Sequence, residues 1–449
     1  MTGLRHRGFR QFVIGQVLSQ LGENMSKVSL AWLAMTLASP SHLVLVLSGL
    51  AICQALPPFL FGGLYGAMID GHRFSTKSIL FWADVCRGLI FFGIPLLAFV
   101  HLLSLPLFFL LTFSAAIFSG IFGPAMTATL PDFPETAGTL IERNTTINIT
   151  GHVGMLLGPV LGGILTRMVT PGTSIIATGT TFLLSALMIY RVWGTGFKLP
   201  SLRTVTHEMA ALSILLKHPL AAGTSMMRQY INLMVSGLLY TVRHNAQTRL
   251  FCLMAFMVGL TLGPINILLP VYVKHVLNGG PVVLGVLMTA AGLGMMLFNA
   301  AIARIGLGFG RFLHQDVPFS HTEKLLMVAL FVSGELLVPT GIVHQVWLAA
   351  VLAFMSAGLA DLFNPVMQTE LQMIADSKNI GKVLTSMGSF FLAGLLLSSL
   401  LTTWTEHNVG LTGAFVLVGL VRIMASMMPL LWRTVSSYHS SANTPSANT

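Results

Sequence analysis

Charge is scarce in this sequence: Asp, Glu, Lys and Arg together make up 8% of its 449 residues, against about 25% in an ordinary soluble domain. With 54% hydrophobic residues and a mean hydropathy of +0.81, that shortage excludes a water-soluble globular protein. It points to a chain that crosses a membrane several times. Acidic residues are the rarer sign, 14 against 24 basic, for a formal net charge of +10. The excess falls in short stretches between apolar runs and builds no basic face, which excludes a nucleic-acid partner. Cysteine is nearly absent. Cys53, Cys86 and Cys252 lie in apolar runs without paired spacing, so neither a disulfide framework nor a zinc site is indicated. The 14 histidines contain no His-Glu-x-x-His, and His207-Glu208-Met209 is only a fragment of it. The stretch Gly71 to Ser78 is no phosphate loop, because Thr76 stands where a glycine should precede Lys77. No metal or cofactor is expected, and no clustered nucleophile and base suggests an enzyme.

What the chain has in abundance is long apolar runs. Polar and Pro/Gly punctuation cuts it into twelve segments, roughly 9–37, 43–69, 77–100, 104–130, 140–168, 172–194, 248–275, 281–305, 323–343, 346–368, 380–404 and 409–432, each near the roughly 20 residues a spanning helix needs. The connections Ser39 to His42, His101 to Pro106, His344-Gln345 and Glu406 to Asn408 carry no Lys or Arg. The alternate ones carry Arg73 and Lys77, Arg143, Arg304 and Arg311, and Lys378 and Lys382, with Arg167 and Lys274 as exceptions. By the positive-inside rule both termini are cytoplasmic.

The segment 195–247 separates residues 1–194 from 248–433. It reads as a cytoplasmic linker, either a tether or, through Met209, Leu212, Leu215 and Leu216 at helical spacing, an amphipathic helix against lipid headgroups. Residues 434–449, rich in Ser, Asn and Thr, read as a disordered cytoplasmic tail. A short repeat links the two halves: Phe122-Gly-Pro-Ala-Met-Thr-Ala-Thr-Leu130 against Phe363-Asn-Pro-Val-Met-Gln-Thr-Glu-Leu371, each closing the fourth segment of its half. It predicts two pseudo-symmetric six-helix halves with a substrate cavity between them.

The first segment is the polar one. Gln16, Gln20, Glu23, Asn24 and Lys27 fall in its middle, and a carboxylate at that depth costs about 2.5–3.5 kcal/mol even on insertion scales, so Glu23 must face protein or water. Lys27, four residues on, shares its helix face. Two readings stand: a protonatable carboxylate with Lys27 as countercharge and Gln16, Gln20 and Asn24 as cavity contacts, or an internal salt bridge that fixes packing. Other charges in apolar segments are Asp84, Arg87, Glu335, Asp361 and Arg422. Glu335 falls near the middle of the ninth segment, with a packing or lipid-edge role. Asp361 lies nearer the cytoplasmic end of the tenth, where it can bind a loop cation, and Arg422 is a countercharge without an assigned partner. The 25 methionines suit core, lipid-facing and adaptable cavity positions alike.

Between the second and third segments stands Gly66-Ala-Met-Ile-Asp70-Gly-His-Arg73-Phe-Ser-Thr-Lys77. Its glycine permits close helix approach, and its aspartate and basic residues can form a latch that biases a two-state equilibrium. The fifth segment carries Gly154-Met-Leu-Leu-Gly158-Pro159-Val-Leu-Gly162-Gly163, a helix face bare of side chains with a proline that removes a backbone hydrogen bond. The chain here resembles the major facilitator superfamily. Gly66 and Asp70 match that family's signature loop, with Gly71 and Arg73 in place of its next arginine and second glycine. The glycine run is similar to the motif of its antiporters, and the resemblance is nearest to the efflux branch that includes macrolide and enterobactin exporters. Further points of likeness are Gln16 to Glu23, Ala83-Asp84-Val85-Cys86-Arg87, Leu269 to Val273 and Gly381-Lys382-Val383. The fourth segment lacks the arginine of many proton-coupled members.

The resemblance implies an all-α membrane protein of twelve transmembrane helices in two six-helix halves. It would be a monomer in a bacterial inner membrane, in contact with lipid, exporting an amphipathic small molecule by proton antiport. Import or lipid flipping by the same fold, and a non-transporting receptor, are the alternatives. The topology is tested with single cysteines at Ser41 and Asn408 in a cysteine-free chain. Both are expected to react with an impermeant thiol reagent from outside, and protection of both with labelling at position 201 reverses the orientation.

Overall fold

The computed structural model describes residues 6–70, 75–193, 246–309, 321–374 and 380–442, and among these there is helix and no strand. Twelve α-helices follow one another: α1 (Arg7–Leu37), α2 (Leu43–Asp70), α3 (Thr76–Phe99), α4 (Leu105–Thr129), α5 (Leu140–Met168), α6 (Pro171–Trp193), α7 (Ala246–His275), α8 (Pro281–Phe309), α9 (His321–Leu337), α10 (Val346–Asp361), α11 (Phe363–Ile374) and α12 (Ile380–Ala442). Ten stretches are long and apolar enough to span a membrane, so the chain is a multi-pass membrane protein. Residues 195–245 of the linker, Arg73 and residues 443–449 lie outside the described residues. So do the side chains of Gly66 and Asp70.

Most helix limits fall within a few residues of the punctuation in the sequence, and the departures have local causes. The expected tenth segment breaks at Leu362 into α10 and α11. Pro365 lacks an N–H and restricts the residue before it, so the helix cannot continue undisturbed. Conversely, the last two expected segments run on as α12, interrupted at Gly410, whose φ of 70° is left-handed and open to glycine without steric cost. The backbone stays helical to Ala442, where composition predicted disorder: extending an existing helix needs no new nucleus.

The chain falls into two compact units, Met1–Ser236 with Gly279–Thr289, and Gly237–Asn278 with Ala290–Thr449. In the first, α1 packs chiefly on α5 and α6, and α3 on α6 and α4. At the end where α1, α3 and α5 begin, Phe133 lies 5.2 to 5.4 Å, centroid to centroid, from Phe9, Phe12 and Trp193. Arg143 holds the turn that carries this ring by donating to the carbonyls of Leu130 at 2.8 Å and Phe133 at 2.6 Å. A reciprocal cap between Thr139 and Glu142 starts α5, satisfying two backbone donors there. Lys77, expected in a switch loop, sits in the first turn of α3. It pairs with Asp132 at 3.0 Å and stands over Trp193 at 5.3 Å.

The glycines of α5 set its distance from α1. A Cβ at Gly154 would fall 2.6 Å from the Cβ of Gln20 and 2.7 Å from its carbonyl. One at Gly158 would meet the Cβ of Asn24 at 2.6 Å, and one at Gly162 the carbonyl of Met25 at 2.7 Å. On another side of α5, a Cβ at Gly163 would meet the carbonyl of Pro281 at 2.5 Å, and Thr289 donates to the carbonyl of Leu156 at 2.9 Å. In the second unit α7 and α12 meet in the same way: a Cβ at Gly259 would run into the carbonyl of Phe391, and one at Gly394 into that of Phe256.

Any side chain at such a contact must push the helices apart, and overpacking costs about 1–3 kcal/mol. Gly154→Ala is therefore expected to lower the melting temperature in detergent. Gly151→Ala, on the same helix with open space around it, is expected to leave it unchanged or raise it slightly, since alanine is the better helix former. Equal effects at both positions would remove the close-packing role of Gly154.

Candidate functional site

Four helices of the first unit bring side chains to one point. On α3, Asp84 and Arg87 are three residues apart and share a face. On α1, Ser19 and Glu23 are four apart and share another, while α4 supplies Ser119 and Phe122, and α6 supplies Phe182. The guanidinium of Arg87 joins them. Its Nη1 donates to Glu23 Oε2 at 3.0 Å and to Ser119 Oγ at 3.4 Å. Its Nη2 donates to Ser19 Oγ at 3.1 Å and to Asp84 Oδ1. Each serine closes a triangle: Ser119 Oγ donates to Glu23 Oε2 at 3.1 Å, and Ser19 Oγ donates to Asp84 Oδ1 at 3.2 Å.

The flat faces of the cation are covered too, with Phe122 at 4.4 Å and Phe182 at 4.3 Å from its central carbon, both within cation–π range. Lysine has no such fork or faces. Asp84 is fully buried and the Arg87 side chain is 3% exposed, whereas the Glu23 side chain is 37% exposed. The network thus has a sealed acid and an accessible one on a single cation. With both acids ionised its formal charge is −1, and one added proton makes it neutral.

The geometry rearranges the roles expected from spacing. The ion partner of Glu23 is Arg87 from another helix. Lys27 instead donates to Asn24 Oδ1 at 2.9 Å, and Asn24 donates to the carbonyl of Gln20 at 2.8 Å. Gln16, expected in the cavity, is fully enclosed, and its amide finds no partner among the described residues. Gln20 and Asn24 have their Cβ atoms against the glycines of α5. Three members of the site, Ser19, Ser119 and Phe182, were not singled out from sequence, and Phe122 only as the first residue of the repeat. The legible signal was Ser19 with Glu23 and Asp84 with Arg87 at helical spacing, but nothing local joins the two pairs.

The remaining intramembrane charges belong to the second unit. Arg422 is buried and donates to Thr261 Oγ1 through Nε at 3.1 Å and Nη2 at 2.7 Å, and to Ser333 Oγ through Nη1 at 2.9 Å. Asp361, expected beside a loop cation, accepts from Asn299 Nδ2 at 2.8 Å. Glu335 is exposed and lies in the last turn of α9, near the middle of the apolar stretch Lys324–Ile342 as expected. Among the described residues no group of His, Cys, Asp and Glu is arranged to hold a metal.

The sequence model of the transmembrane secretion effector family matches residues 1–445. The chain belongs to that family. Its members are transporters of the major facilitator type, not enzymes. Among relatives of this chain, the protein named "Putative bacilysin exporter BacE" of Bacillus subtilis (strain 168) is 28% identical over 187 residues, which are 41% of this chain and 43% of that protein. Its namesake in Bacillus amyloliquefaciens matches at 28% over 41% of this chain and 44% of its own length. The chain therefore spans less than half of these relatives. Among solved structures, a peptide transporter POT in complex with sulfate superposes with a TM-score of 0.71 at 14% identity, over 96% of this chain and 94% of that one. A bacterial homolog of the human lysosomal transporter Spinster, inward-facing and occupied, gives 0.68 at 11%, over 97% and 98%. At these identities the likeness is one of fold.

Removing Arg87 would strand Asp84 as a buried, unpaired acid. Breaking one side of a buried pair costs about 3–5 kcal/mol, so Arg87→Gln is expected to lower stability by that order in thermal unfolding. Adding Asp84→Asn should recover part of the loss. A double variant no more stable than Arg87→Gln would contradict the pairing.

Proposed function

We propose that the protein is a secondary active exporter of an amphipathic small molecule, driven by inward proton flow through alternating access. The observation that carries the reading is the sharing of one guanidinium by an enclosed acid and an accessible one. A proton arriving at Glu23 leaves Asp84 and Arg87 as a neutral pair. Its departure restores a net negative charge that a substrate or a second proton must satisfy. Proton and substrate thereby exclude one another at one site, which is the requirement for antiport. A proton falling through 100 mV supplies about 2.3 kcal/mol.

Outward direction is supported by the secretion family and by the relative named an exporter. The close α1 and α5 contact is consistent with it. We read the topology as twelve spans in two six-helix halves: the ten apolar stretches, plus α1, whose polar middle lowers its hydropathy, plus a division of α12 at Gly410. On this reading the protein is a monomer of a bacterial inner membrane, with lipid around it and both termini in the cytoplasm. The loop of Gly66, Asp70 and Arg73 sets the rate of conformational exchange.

Glu23→Gln mimics the protonated acid while keeping the side-chain shape. In proteoliposomes with an imposed proton gradient it is expected to abolish uphill transport and to weaken substrate binding, yet to keep a wild-type melting temperature. A folded Glu23→Gln protein that still pumps at the wild-type rate overturns Glu23 as the coupling acid.

A further inference from the structure

Two charges on α1 remain only half used by the network. Glu23 takes both of its hydrogen bonds, from Arg87 and Ser119, on Oε2. Its side chain is 37% exposed, and Oε1 accepts no hydrogen bond among the described residues. One helical turn further on, Lys27 is exposed. Its single hydrogen bond, to Asn24 Oδ1, aims the amine and leaves two of its three N–H groups uncommitted. Exposed charges this deep in a spanning helix face a water-filled path and not lipid. No ion pair within 4.0 Å joins them: Arg87 holds Glu23, and Asn24 holds Lys27.

A ligand reaching this face meets an open carboxylate oxygen and an open ammonium, borne by residues whose backbone positions are about 6 Å apart along the helix axis at 1.5 Å per residue. A simple cation satisfies Glu23 and is repelled by Lys27, and a simple anion does the reverse. A ligand carrying both an ammonium and a carboxylate satisfies both, and repulsion of the alternatives is as much a source of specificity as attraction. We infer that the exported molecule is a small zwitterion of the amino acid or short-peptide kind, its ammonium on Glu23 Oε1 and its carboxylate on Lys27 Nζ. The inference rests on the transport reading above and names its substrate class. It also makes the competition concrete, because the substrate ammonium and the proton seek the same carboxylate.

The test uses the purified full chain with L-leucyl-L-leucine, its C-terminal amide and its N-acetyl form, by isothermal titration and by counterflow in proteoliposomes. The dipeptide is expected to bind, and removal of either of its charges to weaken binding about ten- to a hundred-fold, as for a lost charge-assisted hydrogen bond. Lys27→Gln should weaken the dipeptide by a similar factor and leave the amide unchanged, while Lys27→Arg keeps part of the preference. A purely structural Lys27 would affect dipeptide and amide alike, and that outcome overturns the inference. So does failure of the dipeptide to bind, or an amide that binds as well as the zwitterion. If ethidium is pumped while no zwitterion binds, the transport reading stands and this one falls. If the dipeptide binds with the expected charge dependence but no gradient moves it, the site stands and the export reading falls.

Discussion

Taking an arginine into the middle of a membrane helix bundle removes it from water at a cost of several kcal/mol, and the arrangement around Arg87 is the answer to that cost. Two carboxylates and two serine hydroxyls take its donors at the edge, and two phenyl rings cover its faces. Because those partners come from α1, α3, α4 and α6, the relative placement of all four helices is tied to one side chain. Few other forces in lipid would do this. Apolar surfaces gain little by meeting each other when the solvent is itself apolar, so packing and polar contacts specify the assembly. The same dependence makes the network sensitive: a change of charge at Glu23 is felt by every helix that touches Arg87.

Close packing is the complement of that network. Polar residues of α1 are held against α5 only because α5 presents glycines where Gln20, Asn24 and Met25 pass. The short distance fixes the rotation of α1 about its axis, and with it the direction in which Ser19 and Glu23 face α3 and α4. Packing on one side and ion pairing on the other are therefore one constraint acting on one helix. This makes α1 the natural carrier of any coupling between protonation and helix movement in the proposed cycle, since a two-state element must be what the proton biases.

Residues that act along one helix were readable from the sequence, and residues that meet across helices were not. Segment limits followed from apolar runs and their punctuation, and the glycine face of α5 from its spacing, because both are periodic properties of a single stretch. Glu23 stood out because a carboxylate in an apolar run has few permissible surroundings. Its partner was misassigned for the converse reason. The i,i+4 spacing makes Lys27 the nearest cation in sequence, whereas Arg87 is nearest in space, and only the packing of α1 on α3 decides between them. Ser19, Ser119, Phe122 and Phe182 are ordinary residues in membrane helices and acquire meaning only around the guanidinium. The break at Leu362 was latent in Pro365, which helix prediction by hydropathy alone passes over.

The two units handle a buried arginine differently, and the difference bears on where protons can act. Arg422 is met by the hydroxyls of Thr261 and Ser333, with no carboxylate within 4.0 Å among the described residues. Hydroxyls keep the same charge across the physiological pH range, so this arrangement ties α7, α9 and α12 together without offering a protonation switch. Around Arg87, by contrast, two of the four hydrogen-bonding partners change charge when they take a proton. Both units thus use an arginine as a polar rivet, but only the first surrounds it with groups that titrate. If proton movement drives transport, the buried arginine at which it can act is the one in the first unit.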